Sequence, residues 1–193
     1  MRQRATPANW VLKATTAVEH ERAARMASSS ARTRFLTGRA LAKVTLASVL
    51  EQPLAERWID RTCRYCGDAT HGKPTVTDAP WLRWSLSRAD DVSAVAWSRD
   101  VEVGLDIVAT SSVLPHFTPV TWTSVEAALK LCGRGLVEDP RLVLLAPGTA
   151  QVPGQPLATL TPALIPSTVG MVATPESVTL VVREVDEISG VLF

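Results

Sequence analysis

Trp122-Thr-Ser-Val-Glu-Ala-Ala-Leu-Lys-Leu-Cys-Gly-Arg-Gly-Leu136 follows fourteen residues after Val103-Gly-Leu-Asp-Ile-Val108. The later stretch predicts a helix over residues 123–132, with Gly133 as its C-terminal stop. Glu126 and Lys130 stand at i and i+4 on it, so both project from one face. The earlier stretch is an apolar strand that carries one carboxylate, Asp106. Two carboxylates and a lysine can hold Mg²⁺ against a diphosphate and neutralise a leaving phosphate. Phosphate-ester chemistry is the expectation from this pair of segments. Thr123-Ser-Val-Glu126 also reads as a capping box, with Thr123 capping the helix and Glu126 answering it. Asp106 taken alone reads equally as the end of a strand in a turn.

Working toward the N-terminus, Trp84–Leu86, Val92–Ser98 and Val101–Val108 look like successive strands, the last two joined at Arg99-Asp100. Residues 52–80 are rich in loop signals: Pro53, Gly67, Gly72, Pro74 and Pro80. Residues 19–50 read as helix, broken near Ser28-Ser-Ser30. Phe35, Leu36, Ala40, Leu41, Val44 and Leu50 form its apolar stripe, and Arg32, Arg34, Arg39 and Lys43 its basic positions. Residues 9–18 read as an entering strand. Toward the C-terminus, Leu142–Leu145, Leu157–Leu160, Gly170–Ala173 and Ser177–Val185 are strand candidates, the last two as a hairpin around Pro175-Glu176. A strand–helix–strands order thus occurs twice, at 9–98 and 101–185. The expected fold is α+β with two similar halves, 1–100 and 101–193.

The bulk numbers narrow the field. A chain of 193 residues, 46% hydrophobic, fits one domain or two small halves sharing a core. A net charge of +1 argues against nucleic acid or a membrane surface as partner. No signal segment or bilayer-length apolar run stands out, and three cysteines fit a reducing compartment, so a cytoplasmic monomer is expected. Cys63, Cys66 and His71 are three potential zinc ligands, without an evident fourth. Cys132 reads as a small core residue, and the six tryptophans as packing, with Trp81 and Trp84 as alternative pocket borders.

Four spaced segments together resemble the two-halved type of 4'-phosphopantetheinyl transferase. They are Arg34-Phe-Leu-Thr-Gly-Arg39, His71-Gly-Lys-Pro74, Trp84-Ser-Leu-Ser-Arg88 and the opening pair. The Cys63-Arg-Tyr-Cys-Gly67 knuckle also looks like bacterial members. The resemblance covers residues 19–136. It implies a fold of two α/β halves related by a pseudo-twofold axis. It also implies Mg²⁺-dependent transfer of phosphopantetheine from coenzyme A to a serine of an acyl or peptidyl carrier protein. Asp106 resembles the first metal ligand, Glu126 a second ligand and the base, and Lys130 the lysine beside the diphosphate. Lys73 and Pro74 resemble the segment cradling the nucleotide, Ser87 a phosphate contact, and Arg34, with Arg39 and Arg88, the coenzyme-binding positions.

The chain departs from that pattern at four places. Val108 stands where a second acidic residue is usual, Arg88 where a histidine is usual, and Val125 where a lysine is usual. Arginine can still bind phosphate, and bidentately. The 107–121 connection is short in a region that usually holds a carrier-docking segment. Two other functions fit these departures. One is a repurposed enzyme acting on a small metabolite without Mg²⁺ or coenzyme A; the other is a non-catalytic, coenzyme-A-binding or partner-stabilising module.

Overall fold

In the computed structural model, which describes residues 9–52, 59–69 and 71–183, helices pack against antiparallel sheets in a mixed α+β arrangement. Residues 9–18, expected as a strand, are instead the helix α1 (Asn9–Ala14) and the start of α2 (Ala17–Ala24). The reason is helical spacing: Trp10, Val11 and Ala14 lie on one side and pack against Phe35, Leu36 and Ala40. The two threonines of the segment sit at the break between the helices. Thr15 Oγ1 donates to the Val11 carbonyl at 2.7 Å, and Thr16 caps α2 in a reciprocal box with Glu19.

Helix α3 (Ser29–Leu50) begins where a break was expected, with the Ser28 hydroxyl accepting from the Ala31 N–H at 3.1 Å. Its stripe is buried at Phe35, Leu36, Ala40 and Val44 and partly so at Leu41 and Leu50. The short strands β1 (Ile59–Asp60) and β2 (Thr75–Val76) pair with each other. Strands β3 (Leu82–Ala89) and β4 (Val92–Arg99) form an antiparallel hairpin across Asp90, whose φ is 44°. Ala42, Leu46, Ile59, Val76, Leu82 and Trp84 make the core beneath α3, so Trp84 is packing.

The chain turns at Asp100 into β5 (Gly104–Ala109), but β5 does not pair with β4. It is the edge of a five-stranded sheet ordered β5-β9-β8-β7-β6, all antiparallel, where β6 is Leu144–Ala146, β7 Thr149–Gln151, β8 Ala158–Ala163 and β9 Thr168–Thr174. The expected hairpin of 170–173 with 177–185 does not form. Strand β9 is paired on both edges already, and residues 177–183 hold no strand; 184 and 185 lie outside the described residues. Strand β7 was not anticipated, because three residues are too few to show a period.

Helix α4 (Pro119–Cys132) crosses β5 and β9. It starts four residues before the expected position. Pro119 supplies a preset φ at its first turn, and Thr118 caps it by accepting from the Thr121 N–H at 3.1 Å. Thr123 is therefore inside the helix, donating to the Pro119 carbonyl at 2.9 Å, and the Thr123–Glu126 capping box does not exist. Gly133 ends α4 in the left-handed conformation, as expected. A Cβ on Gly104 would lie 2.1 Å from the Ala127 carbonyl, so the backbones of β5 and α4 touch only because residue 104 lacks a side chain.

The two halves are not separated by a linker. Ala89, Val92 and Ala94 of the hairpin pack with Leu105, Ile107 and Val172 of the larger sheet. The seam between β3 and β5 is made by side chains. Ser85 Oγ accepts from the Leu105 N–H at 3.0 Å, and Ser87 Oγ from the Ile107 N–H at 3.2 Å. Two serines at alternate positions thus supply what a neighbouring strand's carbonyls would. Among the described residues no helix is long and apolar enough to cross a membrane.

Candidate active site

The β3–β5 seam and helix α4 enclose a cluster of ionisable groups. Asp106, on β5, is buried. Its Oδ1 accepts from Ser87 Oγ at 2.7 Å and from Lys130 Nζ at 2.6 Å. Lys130 Nζ also reaches Ser87 Oγ at 3.3 Å. Glu126, one turn before Lys130, is buried beside them. Burial pushes its carboxyl pKa up from the usual 4.5; the Lys130 charge opposes that rise and the Asp106 charge adds to it. One ammonium therefore stands near two carboxylates and is bonded to Asp106.

Two oxygens in this cluster are buried without a hydrogen-bond partner: Asp106 Oδ2 and Glu126 Oε1. Buried carboxylate oxygens are costly unless paired or bound to a metal. Hard oxygen donors with an excess negative charge suit Mg²⁺, which takes one or two protein carboxylates and fills its remaining positions with water or substrate phosphate. The residues present fit that ion.

The strand alternation of β3 serves a second place. Ser87 turns toward β5 and α4, whereas Arg88 turns toward α3. There Arg88 stands 5.7 Å over the Phe35 ring, and its stem crosses α3 at Gly38. With Arg22, Met26, Ala31, Arg34 and Phe35 it lines an open cleft of about 350 Å³. Desolvation, then the charges of Arg39, Arg34 and Arg22, lower the pKa of Arg88. Asp90 stands 4.0 Å from Arg34 at this rim and is largely exposed. Crowded guanidinium groups of this kind are a place for an anion.

The other expected coenzyme-binding residues have internal partners. Arg39 is buried on α3, with its Nε 2.5 Å from Glu19 Oε1, and Lys43 Nζ meets Glu19 Oε2 at 2.7 Å. Neither belongs to a solvated helix face. Lys73 Nζ is bound to Glu102 Oε2 and to the Leu131 carbonyl at 2.8 Å, so it ties its loop to the C-terminal end of α4. Desolvation lowers the Lys73 pKa, and the Glu102 carboxylate works against that. Pro74, next to it, is half-buried. Ser87 is fully engaged with Asp106, Ile107 and Lys130.

Sequence reasoning passed over Glu19, Arg22 and Ser85. Glu19 had a signal, because Thr16-x-x-Glu19 has the capping-box pattern that marks a helix start. Nothing in the sequence marks Ser85 as a surrogate backbone acceptor. Comparison of the sequence with known protein families and with curated proteins returns no match.

Proposed function

We propose that the protein is a Mg²⁺-dependent phosphopantetheinyl transferase, moving phosphopantetheine from coenzyme A to a hydroxyl of an acyl or peptidyl carrier protein. The observation that carries the reading is the pair of buried, unpartnered carboxylate oxygens, Asp106 Oδ2 and Glu126 Oε1, beside the Lys130 ammonium. The two-halved fold of that family belongs to the same proposal. It is supported by the setting of one long helix against antiparallel strands in each half, α3 on β3–β4 and α4 on β5–β9.

In this reading Asp106 and Glu126 would hold Mg²⁺, which when bound would supply charge neutralisation at the diphosphate. Ser87 holds Asp106 in one rotamer by donating to Oδ1, which leaves Oδ2 for the metal. Lys130, adjacent to Asp106, offsets charge that develops at the bridging oxygen as 3',5'-ADP departs. Arg34 and Arg88, in their cleft, take a terminal phosphate of the coenzyme. The acceptor hydroxyl forms the new P–O bond and its proton goes to Glu126.

The deciding experiment incubates the full chain with coenzyme A, Mg²⁺ and a panel of apo carrier proteins, read by intact mass. The expected result is the added phosphopantetheine mass, lost in Glu126→Gln and with chelator. No addition across the panel at high enzyme, with no Mg²⁺-dependent coenzyme A binding by calorimetry, overturns the proposal.

A further inference from the structure

The segment from Arg61 to Lys73 is folded back on itself by backbone bonds. Cys63 N–H donates to the Asp68 carbonyl at 2.7 Å, Gly67 N–H to the Cys63 carbonyl at 2.8 Å, and Gly72 N–H to the Arg61 carbonyl at 2.7 Å. A Cβ on Gly72 would stand 2.4 Å from the Arg61 carbonyl oxygen, so a side chain there would force the loop open. This closure brings Cys63, Cys66 and His71 together, with their ligand atoms all within 4.8 Å of one another. Cys66 Sγ is 3.2 Å from His71 Nε2. The other ring nitrogen, Nδ1, faces Asp68 Oδ1 at 3.5 Å. The backbone N–H groups of Tyr65 and Cys66 both point at the Cys63 sulfur.

We propose that Cys63, Cys66 and His71 bind one Zn²⁺ through two thiolate sulfurs and Nε2, with Asp68 orienting the imidazole and a water completing the tetrahedron. The chemistry is that of zinc rather than of a hard cation: two soft sulfurs and one imidazole, in a Cys-x-x-Cys turn closed by glycine. Tetrahedral bonds of roughly 2.3 Å to sulfur and 2.0 Å to nitrogen separate the donors by about 3.5–3.8 Å. The donor atoms, 3.2 Å apart for Cys66 Sγ and His71 Nε2 and all within 4.8 Å of one another, bracket that spacing. Amide hydrogens on the Cys63 sulfur stabilise its thiolate form, and a carboxylate behind a ligating histidine fixes its tautomer. Binding releases the two thiol protons to solvent.

The site has a mechanical consequence that does not depend on the transfer reaction. Tyr65 Oη donates to the Cys132 carbonyl at 3.1 Å, the Arg134 guanidinium lies 4.4 Å over the Tyr65 ring, and Lys73 Nζ bonds the Leu131 carbonyl. A zinc-locked loop is therefore clamped onto the C-terminal turn of α4, the helix that carries Glu126 and Lys130.

The test is zinc content of the full chain, purified reduced, loaded with Zn²⁺ and gel-filtered, measured by elemental mass spectrometry. Wild type is expected to hold one zinc per chain. Cys66→Ser and His71→Ala, both exposed positions whose folding is checked by circular dichroism, are expected to lose it. Cys132→Ser, outside the cluster, keeps it, and Asp68→Asn keeps it with affinity weakened about 10–100-fold. Replacement by Co²⁺ should give tetrahedral visible bands with thiolate charge transfer, absent in Cys66→Ser. The proposal is overturned if reduced wild type takes no stoichiometric zinc, if Cys66→Ser and His71→Ala retain it, or if the Co²⁺ spectrum is octahedral.

Discussion

Two buried ion clusters sit in this molecule with opposite arithmetic. Beneath α2 and α3, among the described residues, one carboxylate, Glu19, meets two cations, Arg39 and Lys43. Between β5 and α4, two carboxylates, Asp106 and Glu126, meet one cation, Lys130. In the first cluster both carboxylate oxygens are bonded: Oε1 to Arg39, and Oε2 to Lys43 and the Thr16 N–H. Burial alone would raise the Glu19 pKa, but Lys43, the Thr16 amide and Arg39 outweigh it and hold it below 4.5. In the second cluster two oxygens have no partner, and burial wins: Glu126 rises. A saturated cluster fixes structure, since nothing remains to bind. An unsaturated one stores the cost of desolvated charge until a cation relieves it.

The strongest way to break this comparison is to remove the acid of the saturated cluster. Glu19→Ala removes the buried carboxylate that Arg39 and Lys43 share and should cost roughly 1.5–3 kcal/mol of unfolding free energy, measured by denaturant titration. A cost below about 1 kcal/mol would mean that the cluster behaves as a surface pair. Glu126→Gln should instead lower transfer about 10²–10⁴-fold while leaving the fold intact, read by initial rates and circular dichroism.

Stability against pH sharpens the contrast, because the two acids shift in opposite directions. Glu19 has a depressed folded pKa, so its contribution is present above its unfolded value near 4.5 and fades as pH falls through the lower folded value. The gap in melting temperature between wild type and Glu19→Gln should therefore close in acid. Glu126 has a raised folded pKa, so the stability of its protonated form is fully present below the unfolded value near 4.5 and is lost as pH rises through the higher folded value. In chelator, Glu126→Gln should melt above wild type at neutral pH and level with it below about pH 4.5. Adding millimolar Mg²⁺ should raise the melting temperature of wild type alone. A stabilising effect of Mg²⁺ on both proteins would remove Glu126 from the metal site.

The smallest effect expected is at a helix cap. Thr16→Ala should cost about 1 kcal/mol, since it removes the acceptor for the Glu19 N–H and loosens the carboxylate that Arg39 and Lys43 share. Thr118→Ala, at the start of α4, loses an exposed cap bond and an exposed contact with the Thr121 hydroxyl but disturbs no ion pair, so its cost should be the lesser. Equal costs would show that the Glu19 cluster does not depend on the cap.

Much of the second cluster was legible in the sequence. Glu126 and Lys130 share a face because of the α-helical period, and Gly133 stops α4 because it alone accepts the left-handed turn cheaply. The apolar runs marked β3, β4 and β5, and the cysteine and histidine spacing marked the loop of 61–73. The strand expected at 9–18 is two helices meeting at a junction, where Thr16 serves as a cap. The capping box expected at Thr123–Glu126 was displaced by Thr118 and Pro119, which offered the helix an earlier start.

The sequence by itself determined which residues bear charge and which local element holds each of them. Only the tertiary structure decided which charges are answered. Glu19 lies twenty residues from Arg39, and Asp106 nineteen from Ser87, so no local period links them. The same residue type therefore became a locked structural acid in one place and an unsatisfied one in the other. The physical reason is that desolvation and pairing are set by distances across the fold, and an aspartate or glutamate carries neither in its own letter.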